Sequence, residues 1–316
     1  MTATASMTLD GRARLAARSG PRGRVLVIGD VMTDVIVKPE GPLVPGSDRR
    51  AAIRHLPGGS GANQAAWLAY YGVPAMLLAK VGLADRDHLA AALQRRGITP
   101  VLAADAVLPT GSLVSIIDPD GQRSFFSDRG ANTALLSADL PADLLDGVAL
   151  LHVSGYALFT SPSRQTVLAL MQQAAERRIA LTIDPASAGF LQEVGAAAFL
   201  AWTRGAAFCF ANEEEAALLA ATADPARQGA ILSSHYEHVV IKRGARGAEV
   251  FSGDGMHQAT LPAPPVEVID TTGAGDALMA AFLAAHLDAA PLDACLAKGI
   301  TAGSQATTFF GGQPLL

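Results

Sequence analysis

Cysteine is nearly absent from this chain of 316 residues: Cys209 and Cys295 are the whole complement, both in apolar surroundings. Two such residues exclude a disulfide framework and, without more ligands, a cysteine metal centre. Both read as core residues. Histidine does not replace them. His55, His88, His152, His235, His238, His257 and His286 show no ligand spacing, so no transition metal is expected. There is no excess of positive charge either. The net charge is −5, which excludes a bulk field for nucleic acid. No apolar stretch is long enough for a membrane span. The first residues carry Arg12, Arg14, Arg18, Arg22 and Arg24 but no apolar run. They do not read as a secretory signal. Residues 1–23 read as a disordered extension, residues 24–316 as the working domain, and a cytoplasmic location is expected. Two nucleotide fingerprints are also missing, the P-loop G-x-x-x-x-G-K-[ST] and the dinucleotide G-x-G-x-x-G. A nucleotide enzyme with this sequence must cradle phosphate in another way, and an oxidoreductase is disfavoured.

What is present is apolar residues, half of the chain, with charged residues at only 17%. That suits an α/β enzyme with many buried helix faces. Arg24–Val37 opens the ordered part: its first half is a buried strand, ended by Gly29 and Asp30. Residues 38–57, rich in Pro and Gly, read as irregular edge structure. A glycine loop at 58–61 then leads into a helix over Ala62–Tyr71 that Gly72 stops. Residues 74–82 are a strand and 85–97 a helix, acidic at its start and basic at its end. From 98 to 133 the pattern changes to two strands around Asp118-Pro119-Asp120-Gly121, a hairpin signal. Strands at 149–155, 179–185 and 206–212 then alternate with helices at 163–178 and 213–221, and 238–253 is a strand pair. Such alternation predicts a mostly parallel sheet covered on both faces. The hairpin-like pieces, about 36–57 and 98–132, predict a small β appendage.

The most telling stretch is Asp270-Thr271-Thr272-Gly273-Ala274-Gly275-Asp276, at the start of a strongly apolar helix. Glycine costs helix stability, so a helix that only packs would begin with something else. Gly273, Ala274 and Gly275 can aim successive backbone N–H groups at one point, where the helix dipole is positive, as suits a phosphate. Asp276 follows in the first turn. A carboxylate beside phosphate makes sense if it accepts a proton from a hydroxyl that attacks phosphorus. The plain alternative is a turn followed by an acidic helix start.

This stretch and the earlier Gly58-Gly59-Ser60-Gly61-Ala62-Asn63 together resemble the paired signatures of the ribokinase-like carbohydrate kinases, the PfkB family. The resemblance runs from Arg24 to Pro314. It implies a three-layer α/β/α fold with a mostly parallel central sheet and a small β-sheet lid. It implies an ATP-dependent kinase that uses Mg2+ and acts on a primary hydroxyl of a sugar or sugar-like substrate. Asp276 then resembles the catalytic base, with Gly273, Ala274 and Gly275 as the anion hole. Asp34 resembles the residue that holds sugar hydroxyls, and Gly59, Ser60 and Asn63 belong to the sugar-side loop. Asn212 and Glu215 match an N-x-x-E pattern that organises magnesium and phosphates, Glu215 through water; read alone they are a capped helix with an acidic first turn. Lys242, Gly244 and Gly247 match the nucleotide loop; read alone they are a hairpin turn. Asp270, Thr272, Ala306, Phe309 and Gly311 match the segments whose backbone carbonyls hold a monovalent cation such as K+. Family analogy also suggests a homodimer through the lid, and implies no nucleic-acid or membrane partner.

Three positions depart from ribokinases: Met32 for asparagine, Ser60 for lysine, and Gly155 near the place of a glutamate. A buried sugar hydroxyl left without a partner costs about 1–3 kcal/mol, which puts ribose in doubt. The chain offers Asp30, and Asp128 with Arg129, as other polar contacts. Arg129 suits either a solvated lid or a substrate phosphate. Met32, Tyr156 and Phe159 suit either the core or a wall for a nucleoside base. Nucleoside kinase, sugar-phosphate kinase and a non-catalytic binder on the same fold stay open as alternatives.

Overall fold

The computed structural model describes residues 23–42, 45–117 and 123–315. The proposed N-terminal extension up to residue 22 and the Asp118–Gly121 turn lie outside the described residues. The strands are β1 (Arg24–Ile28), β2 (Met32–Pro39), β3 (Ala51–Gly58), β4 (Ala75–Gly82), β5 (Thr99–Asp105), β6 (Thr110–Ile117), β7 (Arg123–Gly130), β8 (Val148–Ser154), β9 (Ala180–Asp184), β10 (Phe208–Asn212), β11 (His238–Lys242), β12 (Ala248–Ser252) and β13 (His257–Leu261). The helices are α1 (Ser60–Tyr70), α2 (Arg86–Arg95), α3 (Tyr156–Phe159), α4 (Ser161–Glu176), α5 (Ala188–Val194), α6 (Ala196–Thr203), α7 (Glu213–Leu219), α8 (Pro225–Leu232), α9 (Ala274–Leu287) and α10 (Leu292–Ala306).

Two sheets form. The larger has the order β13-β12-β11-β10-β9-β8-β1-β4-β5. Its strands from β11 to β5 pair in parallel, and β12 and β13 add antiparallel at one edge. Side chains alternate between its two faces. Val25 and Val27 join one apolar cluster with α1, α9 and α10, while Leu26 and Ile28 join another with α3 to α8. Each fully buried side chain of this size contributes about 1.5–3 kcal/mol. Helix α9 is buried from Ala277 to Ala285, which is why it is rich in alanine: small side chains let α1 and α10 approach it. No helix among the described residues is long and apolar enough to cross a membrane.

The smaller sheet has the order β3-β2-β6-β7, with β2 and β6 parallel and both outer pairs antiparallel. It corrects the sequence reading in two places. Thr99–Asp105 pairs with β4 in the large sheet, so the second lid segment starts at Thr110 rather than 98. Within 38–57, read as irregular, β3 is a full eight-residue edge strand; its exposed residues Ala52 to His55 hide the usual alternation. Asp34 accordingly sits in β2 of the small sheet.

The chain leaves β1 towards β4 on one side, and β8 joins β1 on the other. The crevice at such a reversal, at the carboxyl ends of the strands, is where open α/β sheets bind ligands. Gly29, Ser154, Asp184, Asn212 and Lys242 all lie at those ends.

Candidate active site

Gly273 caps α9 in the left-handed conformation, φ +74°, and a Cβ there would sit 2.5 Å from Gly312 Cα. Only glycine fits both demands. Ala277 N is the first amide that bonds back in α-helical fashion, to Gly273 O; ahead of it Ala274 N makes a longer turn bond to Thr271 O at 3.3 Å. Asp276 is partly exposed beside them. Ser60 Oγ donates to one of its oxygens at 3.0 Å and Asn63 Nδ2 to the other at 3.2 Å. The two glycine-rich stretches, over 200 residues apart, thus meet at one carboxylate. Loss of water around it pushes its pKa up to about 7, Asp184 adds to the rise, and Lys242, Asn63 and Ser60 oppose it.

Lys242 and Asn212 are register partners on adjacent strands. Lys242 Nζ reaches Asp184 at 2.9 Å and lies 3.1 Å from where a Cβ on Gly275 would be. The ammonium therefore lies against the glycine loop. Burial works against its charge, but Asp184, Glu215 and Asp276 outweigh burial and hold its pKa above the ordinary value. Asp184, absent from the sequence reading, is its direct partner. Asn212 caps α7, accepting from Glu215 N at 2.9 Å. The buried Glu215 carboxylate accepts from Asn212 N and Nδ2, both at 2.8 Å. Burial raises the Glu215 pKa and Lys242 opposes it. Gly244 and Gly247 flank a tight helical turn beyond β11 with φ +57° and +91°.

Across the cleft, Asp34 shares a wall with Ile36, Leu113, Ser115 and Phe125, facing Asp270, Thr272 and Gly311. Asp34 is buried, and its Oδ1 has no hydrogen-bond partner. Burial first, then Asp270, raises its pKa to about 6. Gly58 explains itself here, because any Cβ would collide with the Asp34 carboxylate. Asp270 accepts from Thr272 N at 2.8 Å and Gly311 N at 3.0 Å, tying the two segments together. Ala306 is buried at the end of α10, and Phe309 stacks 6.4 Å from Trp67. Trp67 Nε1 in turn donates to Gly312 O.

Asp30 and Arg129 are paired with each other. Arg129 donates to Asp30 through Nε at 2.9 Å and NH2 at 2.8 Å, and both residues are buried. Its guanidinium lies 5.4 Å from the Tyr156 ring centre. Asp128 accepts from Gly130 N through Oδ1 at 2.9 Å. Phe159 stacks on Phe190, a ring the sequence reading did not single out. Gly155 could not have been a glutamate here, because a Cβ would strike Pro185 O. Gln64 also escaped notice. It is fully buried and donates to Ser60 Oγ at 2.9 Å; its place one turn after Ser60 was the only signal.

The model of the pfkB family carbohydrate kinases matches residues 22–316. The chain is 29% identical over 282 residues to the ATP-dependent ribose-1-phosphate kinase of Halopiger xanaduensis, covering 84% of this chain and 85% of the relative. It is 30% identical over 315 residues to the fructokinase of Klebsiella pneumoniae, covering 93% and 96%. Among solved structures, the adenosine kinase of Sinorhizobium meliloti superposes with a TM-score of 0.81 at 22% identity, covering 93% of this chain and 97% of that one. With its α/β fold, its small antiparallel-edged sheet and a glycine-loop carboxylate at the crevice, this chain belongs to the pfkB family of carbohydrate kinases and is a phosphotransferase.

Proposed function

We propose that the protein transfers the γ-phosphoryl group of ATP to a hydroxyl, a primary one, of a neutral sugar or sugar-like acceptor, with Asp276 as the general base. The observation that carries this reading is the Asp276 carboxylate. It is held at both oxygens by Ser60 and Asn63, beside the first-turn amides of α9. Asp276 takes the proton of the acceptor hydroxyl. The oxygen forms a bond to the γ-phosphorus as the bond to the leaving ADP oxygen breaks. The amides at 273–275 and the ammonium of Lys242 neutralise charge on the phosphoryl oxygens. A base with a pKa near 7 is matched to work near neutral pH.

The residues fit the expected ions. Glu215 keeps lone pairs beyond those given to Asn212, which suits a hydrated Mg2+ held mainly by phosphate oxygens. An ion held there would supply positive charge to offset the phosphate oxygens. The Asp270 clasp brings the 270–272 and 309–311 segments side by side, which supports a K+ site built from their carbonyls with that of Ala306.

Two features favour a neutral acceptor. The orphaned Asp34 oxygen calls for hydroxyl donors. The cation that would suit a substrate phosphate, Arg129, is locked onto Asp30. One observation favours a nucleoside instead: the Phe125 ring on the same cleft wall is 57% exposed and offers a stacking face. An ADP-release assay with ATP over neutral sugars, sugar phosphates and nucleosides tests the choice. Turnover is expected with a neutral sugar. Turnover confined to phosphorylated acceptors would overturn the reading.

A further inference from the structure

We propose that Ser60 and Gln64 act as a one-way positioning relay that fixes the orientation of the Asp276 carboxylate and keeps it ready to accept a proton. The inference rests on Asp276 being the base. A serine hydroxyl has a single proton. Gln64 Nε2 can only donate, and it donates to Ser60 Oγ at 2.9 Å. Ser60 must therefore spend its one proton on Asp276 Oδ1, 3.0 Å away. Asn63 holds Oδ2, so rotating the carboxylate breaks both bonds at once. The reverse arrangement, with Gln64 Oε1 facing Ser60, would draw the proton to Gln64 and leave Asp276 with one donor.

The relay has a firm base. Gln64 and Ser60 are four apart on α1, on the same face of the helix. Gln64 is fully buried, and its Oε1 has no partner. An amide placed there at that cost does more than fill space. The start of α1 is also pinned, because a Cβ on Gly29 at the end of β1 would lie 2.8 Å from Gly61 Cα.

Other charges reach Asp276 from the sheet: Asp184 on β9 and Lys242 on β11. They are paired with each other and oppose in sign. Tyr156 on α3 also feels Asp276, and Glu215 on α7 acts on Lys242. None of these donates to the Asp276 oxygens, whereas Ser60 and Asn63 do.

The test of the relay itself needs no acceptor. The chain, labelled with 13C at the aspartate carboxyls, is titrated by NMR, and the resonance lost in Asp276→Asn identifies Asp276. A hydrogen bond to a charged group is worth about 1.5–3 kcal/mol, so Ser60→Ala should raise the midpoint by about one pH unit or more. Gln64→Met should raise it in the same direction and add nothing once Ser60 is alanine. Ser60→Thr, which keeps the hydroxyl, should hold the wild-type midpoint and controls for misfolding. An unchanged midpoint in Ser60→Ala, or an effect of Gln64→Met that persists without the hydroxyl, would overturn the relay. Turnover that survives in Asp276→Asn would instead overturn the base assignment, so the two failures are told apart.

Discussion

On one side of the cleft Lys242 bonds to Asp184 and Asn212 to Glu215, at the ends of three strands and the start of α7; on the other, Asp34 keeps a buried oxygen with no donor. The walls differ likewise. The proposed phosphate side is laid down on the large parallel sheet and the packed helix α9, while the proposed acceptor side stands on a four-stranded sheet with Ile53, Phe125 and Phe126 exposed. The contrast follows from the ligands. A phosphoryl group is the same in every cycle, so its cradle can be completed by the protein alone, with little left to reorganise. The acceptor must supply the missing hydrogen bonds itself, and an oxygen without a donor discriminates against ligands that lack a hydroxyl there.

The comparison breaks most visibly at Lys242. Lys242→Met leaves Asp184 and Glu215 buried without their cation. Breaking one partner of a buried pair costs about 3–5 kcal/mol, so the melting temperature should fall by roughly 5–15 °C, with loss of turnover. A calorimetric scan that matches the wild type would deny that this side is built around the pair.

Asp34→Asn should behave in the opposite sense. The folded-state pKa of about 6 lies above the ordinary carboxylate value of 3.8, so between these pH values the folded chain holds a proton that the unfolded chain has lost. Wild-type stability therefore falls as pH rises from about 4 to 6, and the asparagine variant escapes that fall. At pH 7 it should melt higher than the wild type. Its acceptor KM should nonetheless rise about 5- to 150-fold, the kinetic equivalent of about 1–3 kcal/mol. Denaturation at pH 4 and pH 7 beside acceptor kinetics checks both halves.

The smallest effect separates the faces of the small sheet. Phe125 lines the cleft and its neighbour Phe126 points the other way, by strand alternation. Phe125→Ser should raise the acceptor KM severalfold. Phe126→Ser should leave both kinetic constants within about twofold, the usual range for a surface change. Equal effects from the two would blur the distinction between the walls.

Much of the phosphate side is legible in the sequence because its parts are local. Glycines 273 and 275 with Asp276 stand out by spacing within one turn, while Asn212 with Glu215 stand out only through the family pattern they match. The Asp184–Lys242 pair does not, since its members lie 58 residues apart and meet only because a parallel sheet gathers strand ends. The Asp30–Arg129 pair is hidden too, since its members lie 99 residues apart and meet where β7 of the small sheet faces the end of β1; read singly they look like substrate contacts. Gln64 looks like one more helix residue until Ser60 is seen to turn towards Asp276. Strand β5 reads as part of the lid because it precedes the hairpin in the chain; its parallel partner β4 decides otherwise.

The most direct test of the account is single-turnover phosphoryl transfer from ATP in Asp276→Asn, with the best acceptor from the screen and with ATP affinity measured alongside. Removing a general base is expected to slow the chemical step by about 10²- to 10⁴-fold while ATP binds as before, because the amides and Lys242 remain. Transfer at the wild-type rate would contradict the central claim that this carboxylate receives the acceptor proton.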